Sequence, residues 1–390
     1  MAGPLPRESD TGIRIHAGIG EIAPAAWNAL VDPRYPFLRH EFLAAAERHR
    51  CASPETGWTP CHVALYEAGQ LVGAVPLYEK THSWGEFIFD WAWADAYRRA
   101  GLPYYPKLVA AVPFTPATGD RLLTRGDGAQ SRRAALAAAV IAHARERDLS
   151  SAHVLFPTRD ELPALEQAGF HARKDCQFQW RNRGYADFDD FLADFSSAKR
   201  KKARRERRRV AEAGIGFRNL AADELSEDEW AEVFRLLSYT FMRRGNLPYL
   251  SLEFFLELRR TLPTALRAIV AECDGAIVAA AVFYRGSNTL YGRYWGSDDD
   301  YHSLHFETCY YQGIEYCIAE GIALFEPGTQ GEHKIRRGFL PAATWSAHWL
   351  AHPQFDAAVG RYLDEERAHV DDYIEAAAEH SPFRRDVEAD

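Results

Sequence analysis

The chain has 390 residues, 47% of them hydrophobic, with 46 Lys and Arg against 55 Asp and Glu, so its formal net charge is −9. This length predicts about two domains with buried cores, and the acidic balance excludes a uniformly basic nucleic-acid-binding protein. The cysteines lack metal-ligand spacing, no apolar run reaches the roughly 18 residues of a membrane helix, and the N-terminus lacks the apolar core of a signal peptide. We therefore expect a cytoplasmic protein with reduced thiols, no bound metal and no membrane insertion.

The first predicted element is a β-hairpin within residues 61–79, where two apolar runs flank a turn at Gly69. Soon after it, residues 90–97 read DWAWADAY, with two carboxylates among three large aromatic rings. This pattern favours a substrate pocket in which a carboxylate orients an amine or acts as a base, with a solvated strand end as the alternative. Candidate catalytic residues here are Asp90 and Asp95, and candidate substrate-binding residues are Trp91, Trp93 and Tyr97.

A proline-rich segment and a helix–strand pair complete the first half. The prolines of residues 104–119 exclude a central strand and indicate a rigid loop that either lines a site or forms a structural turn. Lys107 and Phe114 are its candidate substrate-binding residues. Residues 136–144 place apolar side chains on one helical face, and residues 152–157 read as the following strand.

A basic run separates the halves: nine of the eleven residues of Lys199–Arg209 are Lys or Arg. Without Gly or Pro, this run predicts a long helix over residues 196–213. Its like charges repel one another unless an anion screens them, which favours a phosphate-rich ligand such as tRNA, with a solvated surface as the alternative. The candidate phosphate- or RNA-binding residues are Lys199, Arg200, Lys201, Lys202, Arg204, Arg205 and Arg208.

The second half repeats the order of the first, with a hairpin around Gly275, a further strand, a helix through residues 310–318 and a short strand at 323–327. An amphipathic helix then closes the chain. The repetition predicts a mixed α/β fold of two related domains, each with mixed sheets, and a C-terminal helix that packs on one of them. We expect the two domains and the helix at residues 12–175, 176–350 and 351–381.

The strand in this half and the helix that follows it carry further candidates. Strict alternation places Tyr291, Arg293 and Trp295 on one strand face and Tyr294 on the other. A tyrosine here acts as a general acid or only packs, whereas the histidine and glutamate at the helix start are candidate bases or capping residues. Candidate catalytic residues are Tyr291, Tyr294, His305 and Glu307, and candidate substrate-binding residues are Arg293 and Trp295.

The last candidate segment, residues 328–338, combines three glycines with three cations after the final repeat strand. Glycine permits close approach of the backbone and Lys or Arg supplies fixed charge, which favours a phosphate or carboxylate site over a solvated turn. Its candidate substrate-binding residues are Glu332, His333, Lys334, Arg337 and Gly338.

Several of these segments together resemble one family. DWAWADAY, SSAKRKKARRERRRVAEAG, LYGRYWG and GEHKIRRGFLPAATWSAHW are similar to the Fem-type peptidyltransferases and a related group of predicted N-acyltransferases, with tandem GNAT folds. The resemblance implies two GNAT-like domains and transfer of an acyl or aminoacyl group to a small-molecule or peptide amine, such as a peptidoglycan precursor. Lys334 and Gly338 match the Lys–Gly pattern that contacts the phosphate region of the acceptor in Fem enzymes.

One departure from the superfamily bears on the donor. Acetyl-CoA enzymes bind pyrophosphate with a glycine-rich loop at a helix N-terminus, but the corresponding place here carries Asp298, Asp299 and Asp300. These carboxylates repel pyrophosphate, which favours aminoacyl-tRNA as co-substrate and tRNA as a partner. Two alternatives stay open: transfer from acyl-CoA to a small molecule, and a non-catalytic module that binds RNA or a nucleotide-linked ligand.

Overall fold

The computed structural model describes residues 11–298, 301–329 and 331–384, which form two compact units. The first unit includes the described residues up to position 175 together with Thr344–Val370, and the second includes Cys176–Ala343 with the described residues from position 371 onward. No helix in these ranges is long and apolar enough to cross a bilayer.

The fold is mixed α/β, as expected. The strands in chain order are β1 Gly12–His16, β2 Trp58–Pro60, β3 His62–Glu67, β4 Gln70–Val75, β5 Leu77–Lys80, β6 Lys107–Ala110, β7 Leu123–Thr124, β8 Ser151–Leu155, β9 His171–Arg181, β10 Gly216–Ala221, β11 Leu266–Cys273, β12 Ala276–Arg285, β13 Thr289–Ser297, β14 Leu324–Glu326 and β15 Leu340–Leu350. The α-helices are α1 Pro24–Leu30, α2 His40–Arg48, α3 Trp91–Arg99, α4 Ala129–Glu146, α5 Leu162–Ala168, α6 Phe188–Ala193, α7 Ser197–Glu212, α8 Glu227–Met242, α9 Leu252–Thr261, α10 Leu304–Phe306, α11 Gln312–Ala319 and α12 Pro353–Ala378. A π-helical turn joins α10 to α11, and short 3₁₀ turns complete the set at Ile19–Glu21, Pro36–Leu38, Pro54–Thr56, Arg159–Glu161, Ala222–Glu224 and Glu332–Arg337.

Both hairpins expected from the sequence are present. β3 and β4 are joined through Ala68 and Gly69, and β11 and β12 are joined through Asp274 and Gly275. All four turn residues have positive φ, between 48° and 79°. Two consecutive residues of this kind form the hairpin turn whose twist matches that of the paired strands, and Gly adopts it without a steric penalty.

The first unit contains an antiparallel sheet in the order β1-β3-β4-β7 and a second group of strands around β8. β6 pairs with β5 antiparallel and with β8 in parallel, while Ser346–Leu350 of β15 pairs antiparallel with β8. Helix α4 places Leu136, Val140 and Ile141 in the apolar core on this sheet. The helical face expected from the sequence is therefore the one that is buried.

The second unit repeats this order. β10 to β13 form an antiparallel series, β13 pairs in parallel with β14, and Trp180 and Arg181 of β9 pair antiparallel with β14. Each unit thus contains antiparallel strands, a parallel pair connected through a helix, and one closing antiparallel strand. This repetition confirms the expected internal duplication.

The expected alternation along β13 is wrong beyond Gly292. Val282 pairs with Tyr294, but its neighbour Phe283 pairs with Gly292, so Arg293 is an extra residue in a β-bulge. Because a bulge shifts the side-chain phase by one residue, Tyr291 and Tyr294 share a face and Trp295 lies on the opposite one.

The strands β13 and β14 separate next to this bulge. They pair at only three positions, the last being Tyr291 with Glu326, after which β13 continues to Ser297 and β14 ends. The loop after β14 therefore diverges from the bulged part of β13. Chain segments that diverge at the carboxyl end of a parallel strand commonly form ligand sites in α/β sheets.

The two elements with the clearest sequence signals also form. The basic run is helix α7, which buries Ala203, Glu206 and Val210 and exposes most of its cations. The expected C-terminal helix is α12, which contributes Val359 and Leu363 to an apolar cluster of the first unit. Asp299 and Asp300, expected to repel pyrophosphate, lie outside the described residues.

Candidate functional site

The divergence of β13 and β14 in the second unit brings together several sequence candidates with one residue that the sequence did not single out. We call the group of Arg293, His305, Glu326, His333 and Lys334 the divergence site. The bulge supplies Arg293, the end of β14 supplies Glu326, and the following 3₁₀ turn supplies His333 and Lys334. The helical segment after β13 supplies His305.

Glu326 is 8% exposed at the end of β14. Burial raises the pKa of its carboxyl to about 7, against the opposing effect of the Arg293 and Arg181 guanidinium groups. The Gln179 side chain donates a hydrogen bond to Oε1 over 3.1 Å. A carboxyl group that titrates near neutrality is suited to proton transfer. Glu326 is not among the residues predicted from the sequence. The pattern that marks it is a charged residue at the end of a short apolar strand, directly before Pro327 and Gly328.

Lys334 is only 2% exposed and its Nζ donates to the Gly328 carbonyl oxygen over 2.6 Å. Burial and, to a smaller extent, the positive charge of the nearby Arg293 lower the pKa of its ammonium group to about 7. Within the described ranges, no carboxylate forms an ion pair with this lysine. A buried cation of this kind stabilises negative charge on a bound group.

Arg337, in contrast, is already paired. Its Nη2 donates to both carboxylate oxygens of Glu206 in α7, over 2.9 and 3.0 Å, and its guanidinium lies 3.3 Å from the centre of the Phe306 ring. The Tyr311 hydroxyl donates to the same carboxylate over 2.7 Å. Arg337 therefore holds the loop against α7, and Gly338 ends the turn with a left-handed backbone, φ 91°.

Two histidines border the lysine. The Tyr310 hydroxyl and His333 Nε2 are hydrogen bonded over 3.0 Å, and the His305 ring lies 5.3 Å from the Trp295 ring. Burial and the positive charges around it lower the pKa of His305 to about 4, so that this ring is neutral near pH 7. His333 is exposed, which opens this side of the site to solvent.

The other candidates in this half pack or form ion pairs. Tyr294 lies against Phe255 of α9, with ring centres 6.1 Å apart, and Tyr291 is 6% exposed. Glu307 accepts hydrogen bonds from the Arg207 guanidinium over 3.0 and 3.2 Å. Burial raises the pKa of Glu307 while Arg207 opposes this effect, but the bound carboxylate is occupied by the ion pair. Glu332 is exposed at the start of the 3₁₀ turn.

The predicted phosphate-binding residues lie along α7. A groove of about 340 Å³ is lined only by side chains of this helix: Ser197, Arg200, Lys201, Arg204, Arg205 and Arg208. The other two predicted phosphate-binding residues, Lys199 and Lys202, are half-buried and do not line this groove. A second pocket, of about 580 Å³, shares Arg204 and Arg208 with the groove and is bordered by Phe188, Phe217 and the Arg207–Glu307 pair.

In the first unit, residues 90–97 form the start of helix α3, and the helix places their two carboxylates in different environments. Asp90 is buried, bonded to the Lys107 ammonium and, over 2.7 Å, to the Tyr104 hydroxyl. Burial raises the pKa of Asp90, but Lys107 and His153 outweigh this effect and lower it to about 2. Asp95 lies on the outer face of α3 and is bonded to Arg98, which lowers its pKa. The structure does not bring the two together.

The aromatic candidates of this half also have separate roles. Trp93 and Tyr97 pack in the apolar cluster that includes α12, Phe114 is buried against the backbone of Gly85, and Trp91 is 41% exposed. The described residues contain no group of three or more His, Cys, Asp or Glu side chains placed to hold a metal ion.

Comparison with known proteins adds the family. A sequence profile of the FemAB_like family, described as peptidoglycan biosynthesis/recognition, matches residues 18–385. No curated protein matches the chain.

Solved structures share the fold at low sequence identity. FemX has 10% identity and a TM-score of 0.53, covering 87% of this chain and 98% of its own. L-PGS from Bacillus licheniformis has 12% identity and a TM-score of 0.51, covering 85% of this chain and 98% of its own. A tandem GNAT protein of the clavulanic acid pathway has 16% identity, a TM-score of 0.45 and coverage of 88% and 99%. The family match and the fold shared with FemX confirm the expected resemblance to Fem-type, GNAT-like proteins.

Proposed function

The chain belongs to the FemAB_like family, and from this premise we propose that it transfers an acyl or aminoacyl group from an activated ester or thioester to an amine. The observation that carries the proposal is the presence of two buried ionisable groups, Glu326 at the end of β14 and Lys334 in the turn after it, both of which interact electrostatically with Arg293. One is a buried carboxyl and the other a buried ammonium without a carboxylate partner among the described residues, and both have pKa values near 7.

The reaction needs only these two kinds of group. The amine nitrogen attacks the carbonyl carbon, the C–N bond forms, and the carbonyl electrons move onto oxygen. Glu326 accepts the proton that the nitrogen loses, and the Lys334 ammonium stabilises the negative oxygen. When the carbonyl re-forms, the ester C–O or thioester C–S bond breaks, and the leaving group takes the proton that Glu326 carries.

The proposed donor and acceptor are supported by the cationic groove and by the family description. The cationic groove on α7 supports a donor with a chain of phosphates, for which we propose aminoacyl-tRNA. The family description and the fold shared with FemX support a peptidoglycan precursor as the amine acceptor. His305, which is neutral near pH 7, and His333 would border the acceptor. Neither imidazole carries a negative charge, so neither competes with the substrate for Lys334.

Product analysis with the two donor classes tests this proposal. The purified protein is incubated with a soluble peptidoglycan precursor and either aminoacyl-tRNA or acyl-CoA, and new amide products are measured by mass spectrometry. We expect product from aminoacyl-tRNA, and we expect Glu326→Gln to lower kcat by about 10²- to 10⁴-fold, because the amide cannot accept the proton. Glu379→Gln, at an exposed position of the second unit, is the matched control. Product from acyl-CoA alone, or an unchanged kcat in Glu326→Gln, contradicts the corresponding part of the proposal.

A further inference from the structure

A short segment of the first unit, Ser83–Trp91, has its polarity inverted. Its carboxylates point inward, with Glu86 and Asp90 only 3% and 2% exposed, while three of its four aromatic side chains point outward. Trp84, Phe89 and Trp91 are 58%, 55% and 41% exposed. Proteins normally bury aromatic side chains and expose carboxylates, so the reversed arrangement in this segment indicates a functional role such as ligand binding.

The inward carboxylates face two buried lysines. The Lys107 ammonium donates to Ser83 Oγ over 2.9 Å, to Glu86 Oε2 over 2.8 Å and to Asp90 Oδ2. These three bonds use all three N–H groups of the lysine. Lys80 Nζ lies 3.9 Å from the centre of the Trp58 ring and donates to the Trp84 carbonyl over 3.2 Å. Neither lysine is solvent-exposed.

This arrangement leaves polar atoms without partners. Within the described chain, Glu86 Oε1, Asp90 Oδ1 and Trp58 Nε1 are buried and form no hydrogen bond. Trp58 is 0% exposed, and its Nε1 faces Gly85 of the segment, 3.5 Å from where a Cβ atom on that glycine would stand. Buried polar atoms are nearly always hydrogen bonded in native proteins, so two such atoms on this segment and one facing it indicate a missing partner.

We propose that the first unit holds a site for a small primary ammonium ligand that also carries a carbonyl or carboxylate oxygen, beneath the Ser83–Trp91 segment. Glu86 Oε1 and Asp90 Oδ1 accept the ammonium N–H groups, and Trp58 Nε1 donates to the oxygen, as suits an amino acid or its amide. The exposed faces of Trp84 and Trp91, whose ring centres are 5.3 Å apart, attract the cation at the surface.

The backbone of the segment fits a flap over this site. Gly85 and Phe87 both have positive φ, 81° and 61°, and this conformation is unfavourable for a phenylalanine. Backbone strain of this kind is retained where surrounding structure enforces it, commonly at ligand-binding segments. The site does not depend on the proposed transfer reaction, because none of its residues belongs to the divergence site.

Binding of three small probes tests the inference. Glycinamide has both groups, methylammonium lacks the oxygen, and acetamide lacks the ammonium. The full-length protein is titrated with each, and binding is followed by calorimetry and by the indole ¹H–¹⁵N resonance of Trp58. We expect saturable binding of glycinamide that shifts the Trp58 resonance, weaker binding of methylammonium, and none of acetamide.

Substitutions complete the test. Asp90→Asn and Glu86→Gln are each expected to weaken glycinamide binding by about ten- to a hundredfold, the usual effect of losing a charged hydrogen-bond partner. Asp127→Asn, an exposed carboxylate of the same unit, is the control. If Asp90→Asn does not fold, Glu86→Gln and the Trp58 resonance decide. Absence of saturable glycinamide binding, or equal binding of acetamide, overturns the inference and leaves water as the partner of these atoms.

Discussion

Burial acts on single residues of the divergence site in opposite directions. The same loss of water raises the pKa of the Glu326 carboxyl and lowers that of the Lys334 ammonium, in both cases to about 7. Asp90, a predicted catalytic carboxylate, is also buried, but its pKa is lowered to about 2 because it lies beside the Lys107 ammonium. A carboxylate that is ion-paired with a cation in this way has a low pKa and is a weak base, so it is poorly suited to accept a proton near pH 7.

These two values predict a narrow pH profile at the residue scale. Activity requires Glu326 ionised, which is lost as pH falls below about 7, and Lys334 protonated, which is lost as pH rises above about 7. We therefore expect kcat/KM of the proposed transfer to peak near pH 7. Lys334→Arg, which keeps its charge at all working pH values, is expected to remove the alkaline decline. An alkaline limb that persists in Lys334→Arg would show that another group titrates there.

At the scale of elements, α7 has two chemically different faces. Its buried face supplies Glu206 and Arg207, which form ion pairs with Arg337, Glu307 and Glu315, and its outer face carries the cationic groove. The π-helical turn Glu307–Tyr311 meets the buried face through Glu307 and Tyr311. Such turns are rare and recur at functional sites, which fits a helix that carries a cationic groove on one face and contacts the loop of the divergence site with the other.

The groove predicts a salt dependence of RNA binding. The triple variant Arg200→Gln, Lys201→Gln, Arg205→Gln removes three exposed or half-exposed cations while retaining good helix formers. We expect the slope of log affinity against log salt concentration for an acceptor-stem RNA to become shallower by about 2 to 3. The reason is that each phosphate contact removed from the complex no longer releases counterions on binding. Filter binding over a salt series measures it.

The matched control replaces three exposed arginines elsewhere, Arg159, Arg260 and Arg361, with glutamine. It removes the same net charge, so an equal change of slope in both variants would assign the effect to overall charge and not to α7. Circular dichroism of both proteins verifies that their helices are retained.

At the scale of the whole molecule, a buried histidine pair links stability to pH. His153 and His348, both 1% exposed, share a hydrogen bond between their Nδ1 atoms over 2.8 Å, which requires that at least the accepting ring is neutral. Burial lowers the pKa of His153 to about 3 and places that of His348 well below its usual value. Both side chains lie in the first unit, at positions 195 residues apart in the sequence.

This pair predicts loss of stability in acid. Below about pH 6.5 the unfolded chain binds protons at both histidines while the native state does not, so the free energy of unfolding falls by about 1.4 kcal/mol per pH unit and histidine. In His348→Gln one of these contributions disappears, and the difference from the parent protein should therefore shrink as the pH falls. Urea unfolding between pH 7 and pH 5 measures it, with the exposed His369→Gln as the control. Equal pH slopes in parent and His348→Gln would contradict the neutral pair.

Local patterns were sufficient for much of the fold. The turns at Gly69 and Gly275, the apolar face of α4, the long basic helix and the C-terminal helix all depend on residues close together in the chain. The same holds for the duplication, because each copy repeats its own order of local signals. Lys334, His333 and His305 were also recognisable as candidates, since glycines, cations and histidines near strand and helix ends carry a chemical signal of their own.

The tertiary structure alone decided which of those candidates share an environment and what burial does to them. Glu326 looks ordinary in the sequence, and only burial in the folded chain raises its pKa, against the opposing charges of Arg293 and Arg181. Arg337 resembles a free anion-binding residue until Glu206, 131 positions away, is found against it. The bulge at Arg293 shifts Trp295 to the other face through pairing with a different strand. Periodicity within one segment determines its local shape, but desolvation and charge pairing depend on distant segments meeting, and no local pattern contains that information.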